Sequence, residues 1–189
     1  MIKVRYSAND LRNGAKLMDL PGNYKWWANI EDFKTILNAL ELDFSAIEKH
    51  VESMKIGEGM HYCIYTGVAI DETAMKREQQ HINSRMSRTA INASTLKKSI
   101  VSLFFDGTNF DEATVKARAL MGRLYAEFSL AETSEEEAQI KAAETEALNK
   151  EGYLYVLNVQ ENKNEHAPKV KLKERRRRLN TYLEEIKRR

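Results

Sequence analysis

The 189-residue sequence predicts an α+β fold in which a small, mostly antiparallel sheet of three strands is flanked by helices. Three segments carry that expectation. Asn23-Tyr24-Lys25-Trp26-Trp27 is an aromatic run behind the turn signal Leu20-Pro21-Gly22. His61 to Ala69 is rich in β-formers and is preceded by Gly57 and Gly59. Leu124, Ala126, Phe128 and Leu130 alternate with Tyr125, Glu127 and Ser129, the period of a half-buried strand.

The remaining segments follow in order. After the first strand, Ile36, Leu37 and Leu40, then Phe44, Ile47 and Val51, fit two short amphipathic helices, with Asp43 capping the second. Residues 30–56 therefore predict a helical insertion between the first two strands. A helix is expected from Glu72 to Asn83, then a polar loop holding Arg85, Arg88 and Asn92. Ser94 caps a helix Thr95–Phe105, which Asp106-Gly107 ends, and another helix covers 111–122. Beyond the third strand, Ser134-Glu135-Glu136-Glu137 reads as a capping box for a helix to Asn149, stopped by Gly152. Tyr153–Val159 reads as extended, a polar loop runs to Pro168, and a basic helix closes the chain.

With 42% hydrophobic residues the chain can bury one core, expected to be a single domain over 1–168 with 169–189 as a helical tail. The opening residues hold no apolar run fit for a signal peptide or membrane span, and Cys63 is the sole cysteine, so a cytoplasmic location is expected, with no membrane partner. The net charge of +2 hides an asymmetry. Residues 169–189 hold ten Lys and Arg against Glu174, Glu184 and Glu185, which leaves +7 there and −5 in the rest. The run Arg175, Arg176, Arg177, Arg178 suits a polyanion, since neutralising phosphates releases counterions, although a solvated helix face explains it equally well.

Two triplets point further. Gly22-Asn23-Tyr24 lies on the first strand and Tyr65-Thr66-Gly67 on the second, followed by a helix bearing Arg77 and His81. With Ser94-Thr95-Leu96-Lys97-Lys98-Ser99 and Leu157-Asn158-Val159-Gln160-Glu161-Asn162, these motifs resemble the GIY-YIG nuclease family, and most closely a restriction-enzyme-like bacterial branch of it. Asn23 and Thr66 stand at the middle positions where isoleucine is usual, and both tyrosines survive. The resemblance implies a magnesium-dependent DNA endonuclease, with manganese as a substitute, acting as a homodimer where both strands are cut. It implies that Tyr65 orients or deprotonates the nucleophile, that Tyr24 hydrogen-bonds the nucleophile or phosphate, and that Asn158 closes the site. A noncatalytic nucleic-acid-binding protein of the same fold is the alternative.

The residues themselves support part of this. Arg77 and His81 are one helical turn apart, so both can meet one phosphate, Arg77 through its planar donor fork and His81 through proton transfer. Glu144 lies among Ile140, Ala147 and Leu148 on an apolar helix face, where a metal would relieve the cost of an unpaired carboxylate, and is preferred as the metal ligand. Glu146 is the alternative, because its twelve-residue spacing to Asn158 matches what the resemblance implies. Lys25, Lys97 and Lys98 are the expected phosphate contacts, the last two in the first turn of a capped helix.

Overall fold

The computed structural model describes residues 1–82, 85–149, 152–158, 163–164 and 166–188. Strands are β1 (Ile2–Ser7), β2 (Gly22–Asn29), β3 (Ser53–Ile56), β4 (Gly59–Ala69) and β5 (Tyr125–Leu130). Helices are α1 (Ala8–Arg12), α2 (Ile30–Ala39), α3 (Phe44–Ile47), α4 (Ala74–Ile82), α5 (Arg88–Asn92), α6 (Thr95–Phe104), α7 (Phe110–Gly122), α8 (Ser134–Ala147) and α9 (Lys169–Arg188). The class is α+β as expected.

The sheet has five strands rather than three, in the order β1-β5-β2-β4-β3, and every pair is antiparallel. The three expected strands form its centre. Two edge strands are added. Ile2, Val4 and Tyr6 alternate with Lys3, Arg5 and Ser7, so β1 carried its own period-two signal. β3 has only four residues and takes its place from the hairpin to β4, whose turn uses Gly57 at a positive φ of 59°. The stretch 30–56 is thus helical only in its first part and ends as a strand.

Other boundaries moved for local reasons. Thr133, not Ser134, caps α8 by accepting from the Glu136 amide, and α8 stops at Ala147 rather than Asn149. The predicted polar loop holds a turn of helix, α5, capped by Ser87. Asp43 occupies the cap position of α3, but its carboxylate accepts from the Ser45 hydroxyl instead of capping. Residues 153–158 form no strand, although the Leu154 and Leu157 amides donate to the carbonyls of His50 and Ile64 at 2.8 and 2.9 Å. Asn83 and residues 159–162 lie outside the described residues.

The core lies mainly on one face of the sheet. Tyr24, Trp26, Tyr65 and Phe128 meet Phe33 of α2, Ile82 of α4, Ile100 of α6 and Leu120 of α7 there. Each such side chain contributes about 1.5–3 kcal/mol by leaving water. Leu172, Leu179 and Leu183 bring α9 into the same core, so the basic helix is packed on α6 along its length. Asp32 at the start of α2, nearly inaccessible to solvent, receives Arg123 Nε and NH2 at 3.0 and 2.6 Å and ties α2 to the end of α7. The opposite face carries a smaller cluster of Trp27, Cys63, Leu148 and Tyr155 beneath α8. Among the described residues no helix is long and apolar enough to cross a membrane.

Candidate active site

The strand register explains both triplets. Tyr24 pairs with Gly67 and Trp26 with Tyr65, so the two tyrosines sit diagonally on one face of β2 and β4. A Cβ at Gly67 would lie 2.5 Å from the Tyr24 hydroxyl, and one at Gly22 would lie 2.6 Å from the Ser129 carbonyl. Glycine is needed at both positions because a ring and a neighbouring strand occupy the space a side chain would take.

Over the two phenols lies α4. The Tyr24 and Tyr65 rings are 6.2 Å apart, and the His81 imidazole is 5.2 Å from Tyr24, 6.1 Å from Tyr65 and 6.1 Å from Trp26. His81 is 1% exposed, its Nδ1 is 2.7 Å from the Ser94 hydroxyl, and its Nε2 is buried with no hydrogen-bond partner among the described residues. Burial first, then Arg77 and Lys97, pushes the imidazole down to about 3, so it is neutral at physiological pH. It can accept or orient a proton but cannot act as an imidazolium acid.

Arg77 is the opening of this site to solvent, its side chain 33% exposed and 3.2 Å from Glu72, with NH1 donating to Gln80 at 2.9 Å. Burial and Tyr65 push the Tyr24 hydroxyl up, against the pull of Arg77. Burial also raises Tyr65, but there Arg77, Tyr24, Thr95 and Arg176 all draw it toward ionisation. Burial opposes the Arg77 charge, yet Tyr24, Glu72 and Tyr65 together raise it. Burial therefore holds both phenols above their ordinary range, and Tyr65 is the one in which every other neighbour that acts on it works against that rise.

Asn158 reaches the site through the backbone. Its Oδ1 accepts from the Thr66 amide at 3.0 Å and its Nδ2 donates to the Thr66 carbonyl at 2.8 Å. Among the described residues β4 has no strand partner on that side beyond Tyr62, so this amide side chain substitutes for one and holds the residue next to Tyr65.

The expected phosphate contacts separate. Lys97 is 0% exposed and its ammonium donates to the Arg85 carbonyl at 3.2 Å, so it braces the segment after α4 and does not face a nucleic acid. Burial, then Arg12, lowers it to about 8. Lys98 is half-buried, with its charge opposed by burial and then by Arg176. In α9, Arg177 and Arg178 are exposed, Arg175 and Arg176 are half-buried, Arg175 donates to the Leu103 carbonyl at 3.3 Å, and the charge of Arg176 is opposed by burial and favoured by Tyr65.

Lys25, Glu144 and Glu146 lie elsewhere. Lys25 alternates with Tyr24, so it belongs to the other face of the sheet, where it holds Glu52 at 2.7 Å. Glu144 is half-buried and lines a cleft of about 260 Å³ with Asn23, Lys25, Thr66 and Glu127. Glu146 is exposed and lines a neighbouring cleft of about 640 Å³ with Lys49, His50 and Tyr153. Helical periodicity identified Glu144 as inward-facing, but inward for α8 means the face opposite Tyr24 and Tyr65. The sequence carries no signal for Glu52 as the partner that holds Lys25, and its reading leaves Thr95, which stands in the motif run and draws on the Tyr65 phenol, out of the site.

The fold and this constellation define a class. The model of the GIY-YIG catalytic domain matches residues 22–178, most of the chain, whereas comparison with curated proteins and with solved structures gave no match. The protein belongs to the GIY-YIG family, whose catalytic domain is that of a nuclease.

Proposed function

We propose that the protein is a DNA endonuclease that hydrolyses phosphodiester bonds on the tyrosine face of the sheet. The observation that carries this reading is the convergence of Tyr24, Tyr65, Arg77 and His81 from two strands and one helix. Arg77 binds the phosphate and stabilises the charge that grows on its oxygens as water attacks. Tyr65 accepts a proton from that water in its phenolate form, Arg77 and Arg176 offsetting part of the burial that opposes ionisation, and the enclosed Tyr24 and His81 fix its ring. The hydroxide forms a new P–O bond, one ester P–O bond breaks, and the departing oxygen is protonated by solvent. The products are a phosphate monoester and a hydroxyl.

Magnesium, with manganese as its substitute, belongs to this proposal as the expected cofactor. Glu144 and Glu146 do not fit a metal shared with the tyrosines, because the sheet stands between them. Among the described residues no three His, Cys, Asp or Glu side chains converge, and Glu72, beside Arg77, is already engaged by it. No step is routed through a metal for that reason. One such centre cuts one strand, so double-strand cleavage requires two copies of the chain.

The test is incubation of supercoiled plasmid with the protein in Mg²⁺, Mn²⁺ or EDTA. Nicked circles are expected with wild type and are lost in Arg77→Ala and Tyr65→Phe. Activity that survives EDTA removes the cofactor from the proposal, and direct conversion to linear DNA supports the dimer. Intact plasmid under all conditions, with binding retained, replaces the nuclease by a noncatalytic nucleic-acid-binding role.

A further inference from the structure

Ser94 is buried at the start of α6, and most of its polar groups are used by the backbone around it. Its amide donates to the Ile91 carbonyl at 3.3 Å, its carbonyl accepts from the Lys98 amide at 2.9 Å, and its hydroxyl oxygen caps the helix by accepting from the Lys97 amide at 3.0 Å. The hydroxyl hydrogen remains. Among the described residues, His81 Nδ1 at 2.7 Å is the one acceptor within its reach.

A count of satisfied groups fixes the direction of that contact. If Nδ1–H donated to the hydroxyl oxygen, the hydroxyl hydrogen and the lone pair on Nε2 would both be buried without a partner among the described residues. If the hydroxyl donates to Nδ1, Nε2–H alone is left over. The second arrangement orphans one group fewer, and each orphan costs its desolvation. Because the imidazole is neutral, these two tautomers are the available choices.

The consequence lies at the other nitrogen. The imidazole stands 5.2 Å from the Tyr24 ring and 6.1 Å from those of Tyr65 and Trp26. With Nδ1 taken by Ser94, any hydrogen bond that His81 makes within the site goes through Nε2, and Nε2 carries a hydrogen. A neutral N–H can stabilise an anionic oxygen without surrendering its proton.

We infer that Ser94 is a positioning residue of the active site, which locks His81 in the Nε2–H tautomer and so makes the histidine a fixed hydrogen-bond donor to an anionic oxygen and not a base. The part that this plays in catalysis rests on the tyrosine face being the reaction site. The tautomer does not.

The tautomer is read by nitrogen NMR of the full-length protein carrying isotope-labelled histidine, with the His81 signals identified by their loss in His81→Gln. Wild type is expected to show a protonated Nε2 and a bare Nδ1. Ser94→Gly removes the hydroxyl but leaves a tolerable cap residue, and is expected to lose that preference, whereas Ser94→Thr should keep it. Thr133→Gly removes the capping hydroxyl of α8 instead, and should leave both the tautomer and the nicking rate as in wild type. With saturating plasmid, Ser94→Gly should lower turnover by about 10–100-fold with little change in KM, on the scale of a displaced positioning contact, and Ser94→Thr should recover most of it. A protonated Nδ1 in wild type overturns the lock, even if Ser94→Gly fails to fold, and so does an unchanged tautomer in folded Ser94→Gly. A changed tautomer with unchanged turnover overturns the positioning role. The expected tautomers without cleavage by wild type overturn the nuclease and leave the lock standing.

Discussion

On the face beneath α8, Lys25 places its ammonium on both oxygens of Glu52, and the Tyr155 hydroxyl donates to the same carboxylate at 3.2 Å. On the face of α4 and α9, the Arg77 charge acts on both phenols and that of Arg176 on Tyr65, and the acid described in contact with Arg77 is Glu72. The first arrangement carries its own counterions and serves as structure. The second holds a surplus of partly desolvated positive charge, which is what a site for an anionic substrate requires. Burial alone does not separate the two faces, since both hold half-buried charged groups. The balance of charge does.

The strongest way to break this comparison is to remove one charge from each face. Arg77→Ala should lower the nicking rate by about 100–1,000-fold, as loss of a transition-state charge contact does, whereas Lys25→Ala and Glu144→Ala should stay within about tenfold of wild type. A loss in Glu144→Ala as deep as that in Arg77→Ala would move the reaction to the cleft under α8.

Gly67→Ala tests the packing of the tyrosine face. The new methyl meets the Tyr24 hydroxyl at 2.5 Å, so overpacking should cost about 1–3 kcal/mol in urea unfolding and reduce nicking as well. Tyr24→Ala in the same chain should return part of the stability but not the activity.

Asn158→Ala isolates the edge of β4. It leaves the Thr66 amide and carbonyl without their partners, at about 1–3 kcal/mol, and the loss should be visible in the same unfolding curves. A fully stable Asn158→Ala protein would mean that another group takes over that edge.

The smallest expected effects are on pH. His81 falls from 6.5 to about 3 in the folded protein, so the unfolded chain binds more protons between those values and stability drops as pH falls through that window. His81→Gln should flatten that slope. Glu78 behaves with the opposite sign. Burial raises it from 4.5 to about 7, so the folded state binds more protons in that window and stability falls as pH rises through it. Glu78→Gln should be more stable than wild type at about pH 8 and equal to it at about pH 4, as measured by thermal midpoint. Equal midpoints at both pH values would show that the carboxyl is stabilised by a neighbour when charged.

Much of the sheet was legible because strand signals are local. The alternation in 124–130 and the aromatic run at 23–27 each became a central strand. β3 was not legible, since four residues with one lysine and one serine carry little signal without the hairpin partner that buries them. Arg77 and His81 share a face because the helical period puts them there, which needs only their spacing.

By itself the sequence determined the central strands, the capped helix beginning at Ser94, the adjacency of Arg77 and His81, and the resemblance through which the family could be anticipated. Only the tertiary structure decided which face of the sheet each charged group reaches. Periodicity says that Glu144 points inward from its helix and that Lys25 and Tyr24 point apart, but not which side of the sheet α8 covers. That choice depends on long-range packing, such as Leu148 and Ala147 against Trp27 and Tyr155. Packing likewise turned Lys97 into an internal brace and left Arg175 and Arg176 half-buried in a run of four identical residues, because those two fall in line with the leucines of α9 while Arg177 and Arg178 do not.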